Sequence, residues 1–351
     1  MPEDQITPGE LPEGLTIPAN LQFSARGFSD EDYAREMINK LHSILSVISQ
    51  WIDLSNLDGV TLAFDYDEAL AELDRGYEPS KILVATKDVS LGIAMAPCVI
   101  RDGNIKTHIV LNTNYILGLL EEPGQETECF YKSLYVVAHE CAHVEVTAAF
   151  DNCFPGVILQ KVNTSILDGM RRDVIWAAWQ EYAACRISCP IGDDPSDGHL
   201  ETLVKVLENT RSQCFEMIKA YRIHSEVDKV VLETYGKLGD LLKSSSYYLG
   251  TVASHEIPET HPDALLKIDE FDWFCPYYDR LIDAQQILWD QFGKWDGQDK
   301  FELLGDILED MAESIGIEAE RLSNERIYFK IPYRKESMPD NDLGTHGAGI
   351  S

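Results

Sequence analysis

The sequence predicts an α+β fold: a small mixed sheet, then a helix bearing His-Glu-x-x-His, then a mostly helical region. Three observations predict it. Runs rich in β-branched residues, with an Asp-Gly turn among them, lie between residues 59 and 111. An apolar helical period surrounds His139-Glu140-Cys141-Ala142-His143. Beyond a break at 190–198, apolar residues recur almost only at helical spacing. A chain of 351 residues, 44% hydrophobic, suffices for one large domain or two ordinary ones.

Residues 1–27 hold Pro2, Pro8, Pro12 and Pro18 among several glycines and read as an extended arm. Ser29 is the predicted N-cap of the first helix, with Asp30, Glu31 and Asp32 in its first turn. Met37, Ile38, Leu41, Ile44, Leu45, Ile48 and Trp51 form its apolar positions, and His42 within it reads as structural or solvent-facing. Residues 59–64 and 82–86 read as strands, with a short helix over 65–73 between them. Residues 92–100 and 107–111 flank Arg101-Asp102-Gly103-Asn104, a hairpin signal, and Pro97 favours an edge or the end of pairing. A short helix follows over 112–120.

The motif helix spans 126–149 and the next helix 169–188, stopped by Cys189-Pro190. Further helices are predicted over 200–222, 227–242, 277–292 and 301–315, with a loop over 255–262 and a late strand over 327–332. The expected organisation is an arm (1–27), an α+β domain (28–190), a helical region (199–333) packed on it or separate, and a disordered tail (334–351).

Net charge is −31, and no Lys/Arg cluster stands out, which argues against nucleic acid and against an anionic membrane surface. No apolar run approaches the roughly 18 residues of a membrane-spanning helix. The opening Met1-Pro2-Glu3-Asp4-Gln5 does not read as a signal peptide. Eight scattered cysteines include no CxxC pair; Cys185 and Cys189, four apart, read as core thiols. A reduced, cytoplasmic protein is expected.

His139 and His143, four apart on a helix, offer two imidazoles to one metal ion from one face. Glu140 points aside yet stays within reach of a metal-bound water, an arrangement suited to metal-assisted hydrolysis. Leu134, Val137, Cys141, Val144 and Ala148 form the buried stripe of the same helix. Catalytic zinc normally takes three protein ligands and keeps one open position. Glu181, 38 residues after His143, is the candidate third ligand. Ala177, Ala178, Ala184, Cys185 and Ser188 would let its helix approach closely.

HExxH followed by a helical Glu resembles the gluzincin group of zinc metallopeptidases. Glu181-Tyr182-Ala183-Ala184 is similar to the E-x-x-A segment of compact, ImmA/IrrE-like members, and the resemblance covers roughly residues 58–190. It implies a zincin-like fold, a Zn2+ cofactor held by His139, His143 and Glu181, and Glu140 as general base. Two residues depart from the pattern. Cys141 stands where a large apolar residue is usual. Cys185 stands where an Asp or Asn often orients a ligating histidine, so Asp151, Asp173 and Glu145 become candidates for that task. No Gly and His follow His143 at metzincin spacing. For the oxyanion donor, Tyr182, His108, His199, His255 and His261 stay open.

The expected function is zinc-dependent hydrolysis of a peptide bond in a specific protein substrate, Glu140 activating a zinc-bound water. The alternative is a non-catalytic zinc-binding interaction or regulatory protein on the same fold. A third possibility gives the main role to a helical binding module over 199–333.

Overall fold

The computed structural model describes residues 14–78, 82–85, 92–160, 165–255, 267–323 and 326–339. Its architecture is α+β, with a five-stranded mixed sheet and a mostly helical C-terminal region. β1 (Gln22–Arg26) lies in the stretch expected to be only an extended arm, and it pairs parallel to β2 (Leu57–Ala63). Between them runs α1 (Glu31–Ile48). Its cap is Asp30 rather than Ser29: the Asp30 carboxylate accepts from the backbone N–H of Asp32 (2.8 Å) and Tyr33 (3.3 Å). A short helix, α2 (Tyr66–Ala71), follows β2.

Residues 82–85 form no strand. Ile82 and Val84 are exposed, while Leu83 and Ala85 pack beside Tyr66 and Val110. Alternation there gives one covered side without a paired neighbour. Thr86 lies outside the described residues.

The hairpin is present. β4 (Cys98–Arg101) and β5 (Asn104–Asn112) pair antiparallel, and Asp102 (φ 52°) and Gly103 (φ 79°) supply the left-handed turn residues that a two-residue connection demands. β3 (Ala94–Met95) joins the same side of β5, interrupted from β4 at Ala96-Pro97. The sheet order is β1-β2-β5-β3, so β3 is an edge. In place of one helix over 112–120 there are two 3-10 turns, Thr113–Tyr115 and Leu117–Leu120.

α3 (Glu128–Cys153) carries the motif. Thr127 caps it, and the Glu121 carboxylate accepts from both the hydroxyl and the N–H of Thr127. α4 (Ile166–Ser188), α5 (Ser196–His224), α6 (Val227–Ser254), α7 (Cys275–Trp289) and α8 (Glu302–Ile315) follow, then the hairpin β6 (Glu318–Ser323) and β7 (Arg326–Lys330). Polar β6, absent from the sequence-based expectation, is the partner that β7 requires. The proline-rich stretch at 190–198 is only a tight connection, with α5 beginning inside it.

α6 runs twelve residues past the predicted end at Leu242. The run Ser244-Ser245-Ser246 hides the apolar period, yet Ser245 and Ser246 donate back to the Leu241 and Leu242 carbonyls (2.9 and 2.7 Å) and stay helical. Gly250 permits α6 to lie on α4: a Cβ there would stand 2.3 Å from the Tyr182 carbonyl oxygen.

Two cores meet at the motif. One packs α1 and α3 on a face of the sheet, around Leu41, Leu62, Val137 and Ala138. The other joins the end of α3 to α4 through α8, around Trp179, Tyr235, Leu241 and Leu308. Both α3 and α4 contribute to each. Among the described residues, no helix is long and apolar enough to cross a membrane.

Candidate metal centre

His139 and His143 lie one turn apart on α3, with Nε2 atoms 3.2 Å from each other. Glu181 reaches them from α4, its Oε2 standing 3.3 Å from His139 Nε2 and 3.4 Å from His143 Nε2. These three side chains form a group able to hold a metal ion. At a tetrahedral centre with bonds of about 2.0–2.1 Å, ligand atoms stand about 3.3–3.4 Å apart, which matches this triangle. The orphaned atoms point the same way. His139, Glu140 and Glu181 are 9%, 7% and 8% exposed, and Oε2 of each carboxylate makes no well-formed hydrogen bond. Converging acceptors in a buried site call for a cation.

Electrostatics agree with a carboxylate ready to ligate. Burial works against ionisation of Glu181, but Lys243 and His143 outweigh it and hold the carboxyl well below its usual range. Burial pushes Glu140 up, with His143 and His139 only partly offsetting it. Lys243 donates to the other oxygen of Glu181, Oε1, at 3.1 Å. One carboxylate oxygen therefore faces the histidines and the other faces α6.

The partner of the His139 ring is Cys185. Its Sγ lies 3.9 Å from His139 Nδ1, and the Tyr135 hydroxyl stands 3.8 Å from the same sulfur. Tyr247 stacks on that imidazole, ring centroids 5.8 Å apart. This corrects the expectation that the orienting task falls to Asp151, Asp173 or Glu145. Asp151 accepts from Gly156 N–H at the end of α3, Glu145 accepts from Asp53 N–H, and Asp173 is exposed beside a different cavity. One turn past Glu181, the side chain at 185 falls on the ligand face of α4 whatever its chemistry.

Tyr182 is not at the site. Adjacent helix residues project about 100° apart, so it turns away from Glu181. Its hydroxyl accepts from Arg186 (2.6 Å) and its ring meets Trp289. His108 is held on the sheet by Asp58 (3.0 Å) and Thr61 (2.9 Å), and His255 pairs with Asp194. His261 lies outside the described residues. Of the histidines considered as donors, His199 is the one brought to the cleft, against Tyr135 and Tyr247. Burial lowers it to about 4, with His139 contributing, so it is neutral at pH 7. His199 Nδ1 lies 2.9 Å from the Thr251 hydroxyl, which also stands 2.9 Å from the Tyr247 carbonyl.

Lys243 and Tyr247 were missed from sequence because they follow the apparent end of the α6 period. Their signal is spacing: Asp240, Lys243 and Tyr247 share one helical face.

The triad floors a cleft of about 450 Å³, walled by α3, α5, α6 and the residues of β3. The carbonyls of Ile93 and Pro97 accept from Asn112 and His108 N–H, 3.0 Å each. Strand alternation then turns the backbone groups of Ala94 and Ala96 outward to the cleft. No protein-family model, no curated protein and no solved structure matches the chain.

Proposed function

We propose that this chain is a zinc-dependent metallopeptidase, acting on an extended peptide segment of a protein. The observation that carries the reading is the triangle of His139 Nε2, His143 Nε2 and Glu181 Oε2, 3.2–3.4 Å on a side, with the Glu140 carboxylate, whose Oε2 has no partner, next to it. Two nitrogens and one carboxylate oxygen suit zinc better than the all-oxygen shells of calcium or magnesium. Bound there, zinc supplies Lewis acidity, bringing the pKa of water to about 7 and polarising a carbonyl.

The remaining work belongs to side chains and backbone. Glu140 accepts the proton of the attacking water and returns it to the departing amine. Among the described residues Lys243 is the lysine lining the cleft, and it is the donor on hand for a developing oxyanion. The outward N–H and C=O groups of Ala94 and Ala96 suit a substrate added as a further strand, which favours a peptide over a small ester or amide.

The test pairs metal analysis with hydrolysis. The purified chain should contain zinc near one equivalent and cleave some members of a mixed pool of unstructured proteins. Glu140→Gln should keep that zinc and lose about 10²–10⁴-fold in rate, the span of general-base catalysis. Undiminished cleavage by Glu140→Gln removes the mechanism. Zinc retention with no cleavage by either protein assigns the site to non-catalytic metal binding.

A further inference from the structure

A second, larger cavity of about 970 Å³ lies beside the metal cleft. The two share Ala96 and Gln180 as lining residues. Gln180 is the partition between them, fixed by its amide donating to Thr147 Oγ1 at 3.1 Å. The chain order places the cavity. Gly92 to Ala96 line the metal cleft, whereas Ala96 and Cys98 line the second cavity, so it opens beyond the carboxyl end of β3. A peptide laid along the outer edge of β3 passes Ala96 and arrives there.

The lining has a defined chemistry. Phe150, Ile158, Trp176 and Phe301 give it an apolar, largely aromatic floor. Its wall carries the α4–α8 ion-pair network, in which Arg171 binds Glu302 (2.8 Å), Asp306 (2.6 Å) and Glu309 (2.8 Å). Arg321 binds Glu309 and Asp168. Two guanidiniums thus hold four carboxylates, and Glu302 and Asp306 each use one oxygen while their side chains stay 55% and 59% exposed. Arg75 and Arg172 also line the cavity, as does exposed Asp173, so the lining is close to neutral with a slight acidic excess. At its lip Leu159 adopts φ 64°, a left-handed conformation that costs a leucine energy and is retained most often where function requires it.

We propose that this cavity seats a large apolar or aromatic side chain of the same peptide that is cut at the metal cleft, and that acidic residues are disfavoured there. The proposal rests on the peptidase reading for its substrate. It adds a task for the helical C-terminal region: Phe301, Glu302, Asp306 and Arg321 all lie beyond residues 58–190, where the family resemblance ends. The helices after 199 then complete a substrate site rather than form a separate module.

The experiment uses the full chain carrying Glu140→Gln, zinc-loaded, so that binding is read without hydrolysis. A random decapeptide library is passed over it and the retained peptides are sequenced. Aromatic and large aliphatic residues should be enriched about ten- to a hundredfold at one fixed position, the worth of burying one such side chain, and Asp and Glu depleted there. Gln298→Trp, placed at the exposed rim to fill the cavity, should erase that preference and leave zinc content unchanged. Asp173→Lys, also exposed, should lessen the depletion of acidic residues. A flat profile at every position, or a preference that survives Gln298→Trp, overturns the proposal. So does retention of an apolar dye with a flat peptide profile, which assigns the cavity to a small ligand. Selective retention of peptides by a chain whose Glu140-containing form cleaves nothing leaves this site standing and removes only the catalytic reading.

Discussion

Replacing Cys185 by Ala tests the link between α4 and His139, the first candidate metal ligand. The sulfur lies 3.9 Å from His139 Nδ1, at the outer limit for a sulfur acceptor, and Tyr135 approaches the same atom. Cys185 is fully buried, so water does not replace it. The truncation leaves a buried ring N–H without an acceptor, which costs about 1–3 kcal/mol. The lower half applies, because sulfur is a weak acceptor. Loss of such an outer partner lowers metal affinity by about 10–100-fold, or about 1.4–2.7 kcal/mol. Tyr247 still packs on the imidazole, which favours the smaller figure.

The assay is zinc competition against a chromophoric chelator at pH 7.5, with circular dichroism confirming that the fold persists. Cys185→Asp supplies a stronger acceptor and keeps a donor in Tyr135, so it should bind zinc at least as tightly as the unaltered chain. Equal affinity for Cys185→Ala and the unaltered chain would refute the reasoning.

Two further outcomes follow from the packing around the site. Gly250→Ala places a Cβ 2.3 Å from the Tyr182 carbonyl oxygen, so α6 must move off α4; overpacking of this kind costs about 1–3 kcal/mol. Urea denaturation should show that loss, and zinc affinity should fall with it because Tyr247 and Lys243 ride on α6; a stable variant with unchanged zinc affinity speaks against the coupling. His199 is lowered by burial to about 4 from 6.5, so between those values the unfolded chain binds the extra proton and stability rises with pH. For the metal-free chain the contribution lost on acidifying from about pH 6.5 to pH 4 is up to about 3 kcal/mol, and His199→Gln should flatten the urea-midpoint profile across that window. An unchanged profile means that His199 titrates normally.

Much of the site was legible because its information is local. His139, Glu140 and His143 sit within one helical turn, and the turn geometry alone brings the two imidazoles together. Glu181 was reachable through its spacing and the small residues around it. Cys185 is visible in the sequence as a departure, but its place beside His139 is set by helix position, which the chemistry of a thiol does not reveal. Lys243, Tyr247 and His199 were out of reach or undistinguished, since they come from helices whose placement depends on long-range packing. The strand expected over 82–86 failed for a related reason: a period of two reports a covered side, whereas a strand needs a hydrogen-bonding neighbour.

By itself the amino-acid sequence determined the α+β class, the hairpin at Asp102-Gly103 and the histidine pair on one helix face. These follow from φ preferences and the 3.6-residue repeat, which act over a few residues. Tertiary structure decided which carboxylate oxygen meets the histidines, that a cysteine backs His139, that a lysine faces the cleft, and that a second cavity continues past β3. Each depends on how α4, α6 and α8 pack against α3 and the sheet. That packing is set by close contacts such as Gly250 on Tyr182, between residues far apart in the chain.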